Sequence, residues 1–220
     1  MRKSVGLAFI MIISMSCGID TISYLSGNPR SYSASDTALV FYGPATPDSA
    51  YLGMDVFYKI YASDTDADTD LASLTARQST TNAVPGYSVS SYLLSSSGLG
   101  YNKPMLDGSI PIPEIPIAKL PSSDFAEIDF QTMPEPTIIF PSSASVSYKL
   151  RRAITSASTY ASFNAKPVSG DADFKINSGD SDSVYYVQFF AASFAIDFTS
   201  GGITELYGDA VYLGRITLNF

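Results

Sequence analysis

Residues able to do chemistry are few in this chain of 220, and the missing types narrow the field. Histidine is absent. That excludes Ser-His-Asp and Cys-His catalysis, imidazole metal ligation and an imidazole pH switch. Cys17 is the only cysteine, so an internal disulfide and a multi-thiolate zinc site are excluded too. Asp64, Asp66, Asp68 and Asp70 alternate through DTDADTD, as oxygen ligands do at the start of a calcium loop. Loop positions six and twelve would want Gly and Glu but hold Thr69 and Thr75. The run is therefore read as an acidic turn, with these four aspartates as candidate calcium ligands. A second acidic cluster comprises Asp171, Asp173, Asp180 and Asp182. A carboxylate-dependent hydrolase of envelope polysaccharide would have to pair two acids across a cleft. Glu114, Glu127, Asp129, Glu135 and Glu205 are available, but no spacing pairs them. No Gly-rich phosphate loop is present. Neither an enzyme nor a cofactor is expected.

The cysteine has a context. Residues 1–17 read MRKSVGLAFIMIISMSC, with Arg2 and Lys3 ahead of an apolar run, Val5–Ile13. That run is too short to span a bilayer, which takes about 20 residues. A basic start, a short apolar run and small residues before the cut are the parts of an export signal. The segment resembles a bacterial lipoprotein signal peptide. Ser16 supplies the small residue before the cut, and Ser14-Met15 resembles the looser lipoboxes of spirochaetes. The resemblance implies cleavage after residue 16 and lipid on Cys17. Each acyl CH₂ then adds roughly 0.8 kcal/mol of membrane affinity. The expected location is the cell envelope, on the inner or outer membrane, periplasmic or surface-exposed.

The net charge is −8 with no basic cluster, so nucleic acid is not an expected partner. Charged residues make up only 15%, while Tyr (15) and Phe (13) are plentiful, a composition that suits strands. The chain divides into the signal at 1–16, a Ser/Gly-rich tether at 17–35 and a β domain at 36–220. Strands are predicted at Ala38–Tyr42, Leu52–Ser63, Ser145–Arg152, Phe174–Ile176, Ser183–Asp197 and within Ile203–Phe220, around a Gly201-Gly202 turn. Glu127–Phe130 and Thr137–Phe140 are predicted as edge strands, and Tyr87–Leu94 as a further strand. Alternation over Leu52–Ser63 puts Met54, Val56, Tyr58 and Ile60 on one face. Leu71–Gln78 reads as a short helix capped by Asp70. Eight of the thirteen prolines fall in 101–141. Proline lacks a backbone donor and fixes φ, so this stretch is expected to lie extended on the surface through Ile110, Ile112, Ile115 and Ile117. Tyr24, Tyr32, Tyr51, Tyr87, Tyr92, Tyr101 and Tyr160 stand in loop-like contexts where exposed rings could stack on sugars.

ALVFYGPATPDSAYLGMDVFYKIYAS looks like strands B and C of a fibronectin type III domain, with Gly53 as the Gly-hydrophobic entry and Phe57–Tyr61 in the "YxIY" position. VYYVQFFAASFAID looks like strand F, and ITELYGDAVYLG like strand G. The resemblance implies an all-β, immunoglobulin/fibronectin type III-like β-sandwich with a long proline-rich insertion at about 63–182. Such a fold implies a scaffold or binding module, with protein or glycan as ligand, and no particular activity.

Overall fold

Tyr, Phe and β-branched residues at alternate positions bury one face of a strand. In β3 (Gly53–Tyr61) and β11 (Val184–Asp197) almost every position is buried. In the computed structural model these two strands pair antiparallel along their length, Gly53 opposite Phe194 through Tyr61 opposite Tyr186. The structure describes Leu25 and residues 27–80, 86, 88–106, 115–118, 120, 124–131, 135–140, 146–155, 160–180, 183–197 and 204–220. Cys17, the whole signal segment, Ile110, Ile112 and the Gly201-Gly202 turn lie outside the described residues.

Two sheets face each other. The first runs β1 (Arg30–Ala34), β2 (Ala38–Tyr42), β6 (Phe125–Asp129), β7 (Thr137–Phe140), β8 (Val146–Ala153) and β4 (Met105–Leu106), with β9 (Tyr160–Ser162) also on β8. The second runs β10 (Phe174–Lys175), β3, β11 and β12 (Thr204–Tyr207). β5 (Ile115–Pro116) also joins β3, and β13 (Val211–Asn219) joins β11. Pairing is antiparallel except for β10 on β3.

Between the sheets, Met54, Val56, Tyr58 and Ile60 meet Leu39, Phe41, Ile128, Ile138 and Leu150. The other face of the second sheet is covered as well. Phe57, Tyr61, Phe190 and Phe194 pack under helix α1 (Asp64–Gln78) and a π-helical turn, Val89–Leu93. The architecture is a β-sandwich with a third, partly helical layer on one side.

Several expectations change. Asp64–Asp70 is helix, not a turn, and Ser63 rather than Asp70 holds the N-cap position. Ala67, Asp70 and Leu74 form the buried face of α1, and Asp64 and Asp66 suit the positive end of the helix dipole. Val89–Leu93 is helical where a strand was expected. β6 and β7 are interior strands, not edges. The interval 63–182 is not an insertion outside the sandwich, because it supplies five of the seven strands of the first sheet. The tether region already contains β1. Ile115 is buried beside Met54, whereas Ile117 is exposed.

Two devices join the sheets. Arg152, on the inner face of β8, is 1% exposed. Its Nε donates to Asp173 Oδ2 at 3.0 Å, and its Nη2 to Asp173 Oδ1 and Asp171 Oδ2 at 2.8 Å each. The Tyr58 hydroxyl of β3 donates to Asp173 Oδ2 at 2.7 Å and accepts from the Ala153 N–H. A charge carried by one sheet is thus held by groups reaching from the other. The second device is Gly214, beside the bulge at Leu213 where β13 slips against β11. A Cβ there would lie 2.5 Å from Leu39 Cδ2 and 2.8 Å from Ala34 Cβ, and φ is +144°. Only glycine admits β1 and β2 this close.

Arg152→Met should leave Asp173 buried without its counter-ion and cost about 3–5 kcal/mol. Gly214→Ala should cost about 1–3 kcal/mol through overpacking. Urea unfolding followed by circular dichroism measures both against an exposed control, Tyr32→Ala. Midpoints equal to the control would refute these roles.

Candidate functional site

The parallel pairing of β10 with β3 sets Lys175 beside Tyr61. Strand alternation puts Lys59, two residues earlier, on the same face. Asp70 of α1 comes down over all three. Its Oδ1 accepts from Lys175 at 3.0 Å and its Oδ2 from the Tyr61 hydroxyl at 2.9 Å. Lys59 Nζ lies 3.8 Å from Asp70 Oδ2 and donates to the Leu99 carbonyl. Both ammonium groups sit over the Tyr61 ring, at 5.6 and 5.8 Å from its centroid, a favourable cation–π arrangement.

These lysines border a cleft of about 640 Å³ between loops 94–102 and 169–176. Tyr58 and Asn102 exchange backbone hydrogen bonds at 2.8 and 3.0 Å, stitching the first loop to β3. The Asn102 side chain donates to the Ala172 carbonyl at 3.2 Å, linking the two walls. Leu94, Leu99, Phe174 and Ile176 supply apolar lining. Each ammonium has three protons, and the contacts to Asp70, Leu99 and Asp66 leave donor capacity for a ligand's oxygen atoms.

Behind the lysines runs a buried hydroxyl relay. The Tyr61 and Tyr101 hydroxyls are 2.8 Å apart, and Tyr101 lies 2.5 Å from the Gln188 amide. Tyr61 has one proton and gives it to Asp70, so Tyr101 must donate to Tyr61. Turning the Gln188 amide so that its nitrogen faces Tyr101 satisfies every contact. It also gives a partner to Nε2, which otherwise has none; amide orientation is decided by such networks. Burial lowers the Lys59 pKa, opposed by Asp70 and aided by Lys175. Burial also raises Tyr61, with Tyr101 and Asp70 adding to it, and raises Tyr101.

The aspartates singled out by spacing are all answered by side chains of the chain itself. Arg215 binds Asp64 and also Asp68, the latter at 2.5 Å. Lys175 lies 3.6 Å from Asp66 and 3.0 Å from Asp70. Among the described residues, no group of three or more acids or thiols is arranged to hold a metal ion. Asp171 and Asp173 hold Arg152, Asp180 accepts from the Asn177 N–H at 2.6 Å, and Asp182 lies outside the described residues.

Among the other acids, Glu135 pairs with Lys149 at 2.6 Å and Glu205 accepts from the Tyr207 hydroxyl at 2.7 Å. Glu127 and Asp129 are half-buried on β6, and Glu114 is outside the described residues. Of the tyrosines expected in loops, Tyr32 is exposed, Tyr92 and Tyr160 are half-buried, and Tyr51 and Tyr101 are buried. Tyr24 and Tyr87 lie outside the described residues.

Lys59, Lys175 and Asn102 were not singled out from the sequence. Lys59 did carry a signal, as a charge within the aromatic strand FYKIY. Lys175 and Asn102 carried none, because only the fold brings them near it. Compared with protein-family models, curated proteins and solved structures, the chain matches none.

Tyr58, Tyr61, Tyr101 and Tyr207 all have pKa values raised, first by burial. A value raised in the folded state stabilises fully below the unfolded value of about 10 and is lost above it. Alkali should therefore titrate exposed tyrosines first. The buried four should ionise only as the fold is lost, seen as tyrosinate absorbance rising together with the circular dichroism change. A smooth titration of all tyrosines at constant dichroism would contradict this.

Proposed function

We propose that this chain is an exported cell-envelope lipoprotein, held to a membrane by lipid on Cys17, whose sandwich presents the two-lysine cleft to a ligand. The observation that carries the reading is the position of the cleft relative to the chain's entry. Ser193 Oγ donates to the Gly27 carbonyl, and the Asp209 N–H donates to Asn28. The tether region thus meets the second sheet near Ser193 through Gly27 and Asn28, and Ser193 pairs with Met54. Lys59 is five residues further along β3, about 17 Å at the strand rise. A domain tethered at that end turns its cleft away from the membrane. No helix among the described residues is long and apolar enough to cross a membrane, and a lipid needs none.

The frame is read as immunoglobulin-like. β1, β2, β6 and β7 stand side by side in the spatial order A, B, E, D, while β3, β11 and β13 stand as C, F, G. The strand at position E precedes the one at D in the chain, a departure from that family. The fibronectin type III likeness therefore concerns spatial order. The ligand class is an oxygen-rich group on a protein or glycan, because the open cleft offers ammonium donors over an apolar floor.

Cells fed radiolabelled fatty acid should label the wild-type protein and not Cys17→Ala. Equal labelling of the two would end the anchor. On arrays of envelope glycans and peptides, Lys59→Ala/Lys175→Ala should bind at least about tenfold more weakly, the loss of one or two charge-assisted hydrogen bonds. Unchanged binding by that variant would remove the cleft from the reading.

A further inference from the structure

A second polar cluster lies further along the same face of β3. Asp55 is fully buried, in a strand otherwise aromatic and apolar on this face apart from Lys59. Lys103 follows directly on Asn102, whose backbone is bonded to Tyr58. This places the Lys103 Nζ 2.5 Å from Asp55 Oδ2 and 3.8 Å from Glu205 Oε2. The Tyr207 hydroxyl lies 3.2 Å from Asp55 Oδ2 and 2.7 Å from Glu205 Oε2. Two aromatic rings flank the ammonium, while the Lys103 side chain is 29% and the Glu205 side chain 48% exposed. Lys103 Nζ is 5.7 Å from the Phe194 ring centroid and 5.5 Å from that of Tyr207. Tyr207 in turn packs edge-on to Phe57 and Phe194.

We propose that Lys103 and Asp55 condense into an intramolecular isopeptide bond, with Glu205 as the proton carrier. An amine, a carboxyl carbon and a second carboxylate are what amide formation requires, and here they converge on one point. With a C–O bond of about 1.2 Å, the 2.5 Å contact puts the amine no further than about 3.7 Å from the carbon it must attack. That is near the 3–3.5 Å of a reactive approach, and groups held this way react as if at roughly 10⁵–10⁸ M. In water the ion pair would be preferred. Here the buried Asp55 and the part of Lys103 lying against the two rings lose hydration that their mutual attraction only partly restores, while the exposed Glu205 stays free to exchange its proton with solvent.

The step balances without an oxidant. Lys103 passes one proton to the Asp55 carboxylate across their contact, leaving a neutral amine and a neutral acid. The nitrogen lone pair attacks Asp55 Cγ and forms the C–N bond, and Glu205 takes the proton released from nitrogen. Glu205 returns that proton to the departing oxygen, the C–O bond breaks, and one water leaves. Tyr207 is a positioning residue, since its hydroxyl spans the two carboxylates. The product ties β3 covalently to the loop that walls the cleft. It would do so in a chain whose single cysteine allows no internal disulfide.

Mass spectrometry of tryptic peptides from the denatured full-length protein tests this. Trypsin should leave 31–59 and 78–119 as separate peptides, because Pro104 protects Lys103 from cleavage. The bond joins them into one species lighter by a water. Wild type should give the joined species and Lys103→Arg the separate pair. Glu205→Gln, folded by circular dichroism, should be joined at least tenfold more slowly. Separate peptides at full mass from folded wild type, after days at neutral pH, would overturn the bond. Joining of Glu205→Gln at the wild-type rate would overturn its role. Neither result depends on the lipid or on ligand binding.

Discussion

A sheet buried on both faces has no water towards which to turn its polar groups. The second sheet is close to that position along β3 and β11: the first sheet covers one side, and helix α1 with the π-helical turn covers much of the other. β3 nevertheless carries Asp55, Tyr58, Lys59 and Tyr61, and β11 carries Gln188. An unpaired buried polar group costs about 1–3 kcal/mol, and a charged one more. Each of these residues therefore needs a partner, and the covering layers are arranged to supply them.

The partners explain features that composition alone leaves odd. The aspartates of α1 look like surplus negative charge in the sequence, but Asp70 serves Lys175, Tyr61 and Lys59 together. Asp64 and Asp68 clamp Arg215 from β13. This pins a helix whose apolar face is narrow, with only Ala67 and Leu74 buried beside Asp70. On the opposite face, Asp173 gathers Arg152 from the first sheet and Tyr58 from the second. Its loop leads directly into β10, so the residue that locks the sandwich also sets the register that delivers Lys175 to the cleft. Packing of the sheets and construction of the cleft are thus one mechanical problem.

Most strands could be read in advance from alternating apolar residues. β2, β3, β8, β10, β11 and β13 were foreseen, and β6 and β7 were foreseen as strands though not as interior ones. The misreadings have a common cause. Asp64–Asp70 looked like a turn because its alternating aspartates resemble the start of a calcium loop. The run becomes helical when Arg215 and Lys175 neutralise it, and those residues are more than a hundred positions away. β6 and β7 looked like edges because prolines flank them, yet strands on either side complete their ladders.

By itself, the sequence determined the strand-rich class, the alternation of β3 and the exclusion of imidazole and disulfide chemistry. It also marked Cys17 as a lone thiol behind an export-like segment. These follow from composition and from neighbours within a few residues, where periodicity and residue type are sufficient. Only the tertiary structure decided which charges meet. It placed Lys59 beside Lys175 and Asp70, Arg152 between Asp171 and Asp173, and Lys103 against Asp55. An ion pair depends on distance in space, and the pairing of strands far apart in the chain sets that distance.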